Sequence, residues 1–450
     1  MNSRTTPSPS HHRRIWAFAW PMMLSNITVP LLGLVDTAVL GHLAHPGYLA
    51  AVAIGSNIFT FVFWAFGFLR MGTTGLVAQS FGSQDQERLL RTSLQAIGLG
   101  LIIGAGIIAN QFWLIPLAIT LMDGSEQVQA LASSYCHVRI WGAPATLIQY
   151  ALIGTFIGLQ QPKISMQILI FINVLNIIFD IVFVVVLDLN VVGVALATII
   201  AEYSGVLFSI YSLHRFFYRP TQPTSLPTPT VMFTRLWKKS EIIRFFTVNF
   251  DIFVRTCCLL FVFAFFTSQG AKQGDIILAA NAVLLTFLLL ISNTLDGFAN
   301  AAEALVGELT GRPRSQKTKI QIAALVRAAL WWCIAGTTLL TIIFGGLGAQ
   351  LIMLLTDITE VKNTAIQYLG WLILMPSLAC LSYLYDGVFV GAIRTRAMRN
   401  IMITSLLLVF LPCWLLTQNY GNHGLWFALS IFMIARSFLM HLSYRRFIQE

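Results

Sequence analysis

Long apolar stretches alternate with short polar segments along nearly the whole chain. A helix needs about 20 apolar residues to cross the hydrocarbon core of a bilayer, and stretches close to this length or longer recur along the chain. The predicted spans are roughly 15–40, 48–80, 92–119, 130–158, 164–187, 192–214, 241–268, 276–310, 320–355, 363–392, 399–417 and 423–444. The pattern predicts an all-α integral membrane protein with twelve transmembrane helices.

The second half of the chain repeats features of the first. The segment LAAVA at 49–53 matches LAANA at 278–282, each at the start of the second span of its half. Each half also carries a Gly-x-Phe-x-Gly element, at 154–158 and at 387–391. These matches indicate two structural repeats.

A linker rich in proline and threonine, at 218–240, divides the spans six and six. Because six is even, the two repeats share one orientation, and parallel repeats are related by an axis along the membrane normal. We therefore expect a cytoplasmic lead-in at 1–14, an N-lobe at 15–217 and a C-lobe at 241–450. The two six-helix lobes are expected to be related by a pseudo-two-fold along the membrane normal.

Charge distribution predicts the orientation in the membrane. The chain is 57% hydrophobic and only 10% charged, yet its formal net charge is +10. Basic residues concentrate in alternate loops, and the positive-inside rule assigns those loops and both termini to the cytoplasm. They are Arg4, Arg13, Arg14, Arg88, Arg91, Lys163, the group from Arg215 to Lys239, the run from Arg312 to Lys319, Arg394, Arg396, Arg399, Arg445 and Arg446, against Lys272 and Lys362 outside. This alternation explains the charge without a nucleic-acid partner.

Other classes of function find little support in the sequence. The six cysteines lie in apolar runs without metal-ligand spacing, so neither a disulfide framework nor a metal site is expected. A membrane-embedded prenyl or acyl transferase needs a paired-aspartate motif or a histidine-containing catalytic loop, and the histidines of the spans and loops are scattered singly. We expect neither an enzyme nor a cofactor.

Two acidic residues lie inside the predicted N-lobe spans. Asp36 is near the outer end of the first span, and Asp180 follows Asn173 and Asn176 on one face of the fifth, at i, i+3 and i+7. Ionisable groups inside a bilayer are expensive and normally functional. Counting the helical rise also puts Thr198 and Tyr135 in the outer half of the same bundle.

These acids suit a proton-coupled carrier. Two carboxylates in one low-dielectric pocket cannot both ionise cheaply, so we expect at least one to hold a proton near neutral pH. Asn176 and Thr198 can donate to the ionised form and accept from the protonated form. Two alternatives remain open: permanently protonated carboxyls that only tie helices together, and a cation-binding site.

Prolines interrupt the first span upstream of Asp36. Pro21 and Pro30 each remove a backbone hydrogen bond, which makes a bend easy. We expect a bend that responds to protonation of Asp36, with static kinks as the alternative.

The C-terminal half carries charges of its own. The i, i+4 spacing of Asp251 and Arg255 predicts an intrahelical salt bridge. Asp386 precedes the second Gly-x-Phe-x-Gly element and is expected either to face a central cavity or to serve packing alone.

With these residues the chain resembles the multidrug and toxic compound extrusion (MATE) family, and within it the bacterial DinF branch. The resemblance covers essentially the whole chain and rests on four segments. They are SNITVPLLGLVDTAVLGHL at 25–43, RMGTTGLVAQ at 70–79, NVLNIIFD at 173–180 and ALATIIAEY at 195–203.

This resemblance implies a V-shaped secondary active antiporter of the bacterial inner membrane, open to one side at a time, that exports cationic amphipathic compounds in exchange for protons. It implies that Asp36 and Asp180 form the proton site, that Tyr135, Asn176 and Thr198 are their hydrogen-bonding partners, and that Pro21 is the bend. We expect a monomer whose partners are small-molecule cations and lipid.

Two alternatives stay within transport. The coupling ion of this branch has been argued to be either proton or sodium, and the wider superfamily includes flippases of lipid-linked precursors. Asp251 and Asp386 resemble, by approximate position only, the C-lobe acids of the related NorM branch.

Overall fold

Helices make up nearly all of the protein that the structure describes. The computed structural model describes residues 9–41, 46–120, 122, 125–217 and 239–449. The side chains at 9, 27–41 and 46 lie outside this description. Within the described ranges strands are absent, which confirms the all-α class predicted from the apolar pattern.

In the first half, the described residues form nine α-helices. They are α1 (Pro9–Gly41), α2 (Pro46–Ala65), α3 (Phe68–Gly82), α4 (Gln86–Ala109), α5 (Gln111–Thr120), α6 (Glu126–Arg139), α7 (Ala143–Gly158), α8 (Pro162–Asp180) and α9 (Asn190–Phe217). Some neighbouring helices follow each other end to end and together form one membrane span. A 3₁₀ turn, Ile140–Gly142, connects α6 to α7, and α8 continues as a π-helix, Ile181–Val186.

The described second half contains seven α-helices. They are α10 (Lys239–Ala271), α11 (Asp275–Gly311), α12 (Gln316–Leu355), α13 (Thr359–Gly391), α14 (Thr395–Thr404), α15 (Leu411–Thr417) and α16 (Gly421–Gln449). A π-helix, Ser405–Phe410, joins α14 to α15. A 3₁₀ turn then leads to Gly421, whose φ of +55° suits a residue without a side chain and separates α15 from α16.

The predicted number of spans is confirmed. Ten helical stretches in the described residues are long and apolar enough to cross a membrane. One of them, Thr395–Gln449, contains two spans because it breaks at Gly421. The 33-residue helix α1 carries the first predicted span, which completes the twelve.

Polar side chains define several helix starts at the ends of spans. Asp85 caps α4 by accepting a hydrogen bond from the Arg88 backbone N–H at 2.9 Å. Ser315 caps α12 in the same way through the Thr318 N–H at 3.1 Å. Each cap satisfies a backbone donor that the helix leaves without an internal partner.

The chain divides into two compact units. We call Leu24–Phe246 the N-unit, and Met1–Met23 together with Thr247–Glu450 the C-unit. Two helices contribute to both, since α1 and α10 each begin in one unit and end in the other. The predicted lobes at 15–217 and 241–450 stay a prediction, and the observed units differ from them by these starting segments.

The starting segments of α1 and α10 make equivalent polar contacts. In the C-unit, Arg14 of α1 donates to Glu308 of α11 at 2.5 Å. In the N-unit, Arg244 of α10 donates to Gln79 of α3 at 3.0 Å. The register that aligns 49–53 with 278–282 also aligns Gln79 with Glu308. The internal repeat therefore extends to contacts between helices.

The repeated Gly-x-Phe-x-Gly elements lie where two helices touch. In the N-unit, a Cβ on Gly154 would collide with the backbone carbonyl of Arg70 in α3. In the C-unit, a Cβ on Gly387 would collide with the carbonyl of Ala299 in α11. Arg70 and Ala299 align in the same register. Glycine thus allows the close backbone approach that membrane helices use in place of a hydrophobic driving force.

Candidate functional site

The carboxylate of Asp180 lies fully buried at the end of α8. Asn176, one turn earlier, is equally withdrawn from solvent, and Asn173, one turn before that, is half-buried. The π-helix begins at the residue after Asp180. Such π segments in α-helices frequently occur at functional sites, because they re-aim the side chains next to them.

A hydrogen-bond network connects Asp180 to α9. With its amide nitrogen towards Asp180, Asn176 donates to Oδ2 at 3.0 Å, and its oxygen lies 3.1 Å from the Thr198 hydroxyl. With the amide rotated by 180°, the nitrogen instead lies 3.1 Å from Thr198 Oγ1. Thr198 also bonds back to the Val194 carbonyl at 3.0 Å. The structure therefore brings together three of the predicted site residues.

Tyr135 is held against α2. Its ring is buried in α6, and its hydroxyl lies 3.2 Å from Ser56 Oγ. A Cβ on Gly55 would collide with this ring, so the glycine provides the space for it. Its predicted link to the acids stays a prediction.

Two predictions about α1 fall partly outside the described residues. The side chains of Asp36 and Pro30 are not described, so the predicted pairing of Asp36 with Asp180 stays a prediction. Pro21 is buried, and α1 continues as one helix across it. The predicted bend at Pro21 also stays a prediction.

Sequence reasoning missed a strong ion pair in the N-unit. Arg139 of α6 donates to both oxygens of Glu202 in α9, at 3.1 and 2.7 Å. The Thr146 hydroxyl donates to the same carboxylate at 2.8 Å. The signal was present, since opposite charges inside membrane spans normally find each other. The sequence did not identify Glu202 as the partner of Arg139, because spacing along one helix does not show which helices are neighbours.

In the C-unit, the predicted salt bridge between Asp251 and Arg255 is wrong. Asp251 accepts hydrogen bonds from Arg399 at 2.6 Å and Thr395 at 2.9 Å. Arg255 instead pairs with Asp386. Both partners come from other helices, which the i, i+4 spacing on α10 could not indicate.

Asp386 is shared between two arginines. Arg255 and Arg436 both bond to its Oδ2, Arg436 at 2.9 Å. All three side chains are buried, so one carboxylate and two guanidinium groups meet inside the C-unit. The positive charge of two guanidinium groups at Oδ2 opposes the binding of a further cation at Asp386. Its predicted role in cation binding, like that of Asp251, stays a prediction.

A metal site in the described part of the chain would require a group of ligating side chains. Groups of three or more His, Cys, Asp or Glu side chains able to hold a metal ion are absent there. Asp180 bonds to the Asn176 amide, a group that can exchange hydrogen bonds with a carboxyl group.

Comparison with known proteins gives consistent results. A protein-family model described as MatE matches residues 21–182. The chain is 38% identical to DNA damage-inducible protein F of Escherichia coli, over 97% of this chain and 93% of that protein. It is 24% identical to a probable multidrug resistance protein NorM of Neisseria meningitidis, over 93% of this chain and 90% of the relative.

Solved structures share the fold. The structure described as MATE in the bent conformation matches with a TM-score of 0.84 at 20% identity, covering 98% of this chain and 96% of that one. The likeness extends over both units.

Proposed function

The chain belongs to the MATE family, and on that premise we propose that it is a secondary active exporter that exchanges cationic amphipathic compounds for protons. The relative named as a NorM multidrug resistance protein supports export of varied drugs as the class of activity. We place the protein in the bacterial inner membrane, as a monomer with both termini in the cytoplasm.

The buried network around Asp180 carries the proposal. With Asp180 ionised, Asn176 donates to it and accepts from the hydroxyl and backbone N–H of Thr198. Rotation of the amide would turn its oxygen to a protonated Asp180 and its nitrogen to Thr198 Oγ1, with the loss of the bond from the Thr198 N–H. The nitrogen donates to an ionised Asp180, whereas the oxygen accepts from a protonated one. The network can therefore satisfy Asp180 with or without its proton, as a proton carrier requires.

Exchange follows from competition between proton and substrate. When Asp180 or Asp36 takes up a proton on the outer side, the site loses a negative charge and its hold on a cationic substrate weakens. By reciprocity, a substrate bound on the inner side favours loss of the proton. Bending of α1 at Pro21 would couple these events to a change of cavity size.

Sodium coupling is the second candidate. Asp180, Asn176 and Thr198 together provide carboxylate, amide and hydroxyl oxygens, the ligand type that hard cations prefer. A sodium ion bound there would replace the proton in the same exchange.

The deciding experiment is ethidium export from proteoliposomes under an imposed pH gradient or an imposed sodium gradient. We expect the pH gradient alone to drive export by the wild-type protein, and the Asp180→Asn variant to fall to background because position 180 can no longer take up or release a proton. Export by this variant at the wild-type rate would refute the coupling role.

A matched control removes a carboxylate outside the site. Asp188 is exposed in the turn before α9 and has a φ of +54°, a conformation that asparagine accepts readily. Asp188→Asn should therefore export at the wild-type rate. Export by the wild type with a sodium gradient and no pH gradient would select sodium instead.

A further inference from the structure

The Arg139–Glu202 ion pair lies at a defined distance along α6 and α9 from residues of the proposed proton site. Tyr135 and Arg139 are four residues apart on α6, and Thr198 and Glu202 are four residues apart on α9. Residues four apart lie on the same helix face, about 6 Å along the axis. The ion pair therefore lies one turn from both Tyr135 and Thr198.

The pair is built for fixed orientation. Its two hydrogen bonds join the two terminal nitrogens of the guanidinium to the two carboxylate oxygens, and such a forked pair fixes angle as well as distance. The rings of Phe59 and Phe63 in α2 flank the guanidinium at 5.5 and 5.4 Å. Side-chain exposure is only 8% for Arg139 and 14% for Glu202.

The Arg139–Glu202 pair lies beside the 3₁₀ turn that separates α6 from α7, and neighbouring residues contact both. The Tyr203 hydroxyl donates to the Trp141 carbonyl at 3.0 Å, which fastens α9 to the 3₁₀ turn. A Cβ on Gly142 in the same turn would lie 2.8 Å from Glu202 Oε2. Because glycine leaves this space open, the carboxylate can reach both Arg139 and Thr146.

Stability alone does not account for such a pair. Replacing a buried ion pair by apolar side chains of similar size is often neutral or stabilising, because both charges lose their hydration. What apolar contacts lack is direction: they would let α6 and α9 slide or rotate against each other. A forked ion pair one turn from Tyr135 and Thr198 opposes that movement.

We propose that Arg139 and Glu202 are positioning residues for the proton site. By locking α6 to α9 they hold the Thr198 hydroxyl within reach of Asn176 and keep Tyr135 on the same side of the bundle. They thereby set the hydrogen bonding that Asp180 experiences. This rests on the proposed function, in which Asp180 is the group that binds the proton.

The test compares three proteins in the same liposomes. The double variant Arg139→Met with Glu202→Leu removes both charges while keeping bulk, so neither charge is left buried alone. Arg139→Lys keeps the positive charge but cannot form the two-nitrogen contact of the guanidinium. It also provides a result if the double variant fails to fold. Each protein is measured for melting temperature, for ethidium KM and kcat across pH, and for the infrared carboxyl band of Asp180, identified by subtracting the Asp180→Asn spectrum.

We expect the double variant to fold with a melting temperature close to that of the wild type. Its kcat should fall by about tenfold, as when a supporting partner of a site residue is lost, with little change in KM. Its pH midpoint should move by about one unit, and the Asp180 band should shift because its hydrogen bonding has changed. Arg139→Lys should show smaller shifts in the same direction.

An unchanged pH midpoint and an unchanged Asp180 band, in either variant, would overturn the proposal. This holds even where the rate falls, since a purely structural defect lowers the rate without altering the proton site.

The control is a neutral hydrogen-bonded pair that also involves α9 but joins it to α7 in place of α6. Gln149 donates to Ser209 Oγ at 3.0 Å, two turns beyond Glu202 along α9, and both side chains are buried. Gln149→Leu with Ser209→Ala should leave the midpoint and the band as in the wild type. A shift as large as that of the Arg139 variants would contradict a specific role for the ion pair.

The infrared band also separates this inference from the proposed function. Absence of pH-driven export by the wild type would refute proton exchange. The positioning role would still be decided by the Asp180 band, because the band is read without transport.

Discussion

Among single residues, Asp386 is one whose substitution is expected to destabilise the C-unit strongly. It bonds to two buried guanidinium groups, so Asp386→Asn would leave Arg255 and Arg436 without their shared carboxylate. Breaking a buried ion pair on one side costs about 3 to 5 kcal/mol. We therefore expect a clear fall in melting temperature in detergent.

The comparison for this prediction is Asp251→Asn. The partner of Asp251, Arg399, has a side chain that is 29% exposed, so water can solvate the guanidinium once the carboxylate is gone. The decrease in the free energy of unfolding should be nearer the ~1 kcal/mol of an ordinary hydrogen bond. Equal losses from the two substitutions would show that burial of the arginines does not control the effect.

At this scale the sequence predicted what lies on one helix and failed between helices. Asn176 and Asp180 share a face of α8, and the structure joins them. Arg139 with Glu202, and Arg255 with Asp386, join helices that no spacing rule could connect. The i, i+4 rule for Asp251 and Arg255 failed because each residue had a better partner on another helix.

At the scale of elements, the repeated glycines lead to a prediction about helix contacts. Gly154→Ala and Gly387→Ala would each push a Cβ into the backbone of the facing helix, where nothing flexible can give way. We expect both substitutions to lower the melting temperature, and by similar amounts, because the two contacts are equivalent in the repeat.

Glycines with open surroundings provide the control. At Gly98 and Gly106 of α4, a new Cβ would meet no atom of a neighbouring helix or side chain within 4 Å. Alanine is the better helix former by about 0.5 to 1 kcal/mol, so these variants should be neutral or more stable. Losses at Gly98 as large as those at Gly154 would show that helix packing is not the cause.

Helix positions followed from the sequence because a bilayer dictates the length of an apolar span. The breaks inside spans did not. The 3₁₀ turn at Ile140–Gly142 directly follows Arg139 and the π-helix at Ile181–Val186 directly follows Asp180, but a single charged residue does not predict a break in a helix. Their positions depend on what neighbouring helices offer, such as the Tyr203 hydroxyl bonded to the Trp141 carbonyl.

At the scale of the whole molecule, two helices belong to both compact units. The sequence repeat predicted two halves but not that α1 and α10 begin in one unit and end in the other. The reason is that a sequence repeat shows which segments are similar to each other, whereas a compact unit is defined by which helices pack together. Any motion between the units must be accommodated within α1 and α10.

Pro21 lies two residues before the point where α1 passes from the C-unit to the N-unit. Proline removes one backbone hydrogen bond there and makes bending easier. We expect Pro21→Ala to stiffen α1 and to lower the rate of ethidium export by about tenfold or more in proteoliposomes, since lid and hinge steps set many turnover rates. Its melting temperature should stay equal to or above that of the wild type.

Pro376 is the matched proline for this test. It is also buried inside a long helix, but α13 lies wholly within the C-unit, so no motion between units depends on it. Pro376→Ala should therefore gain helix stability and keep its export rate. If both alanine variants slowed export equally, the flexibility of proline-containing helices in general would matter, and the crossing point in α1 would have no special role. If only Pro21→Ala slowed export, the bend would be located where the chain passes between its two units.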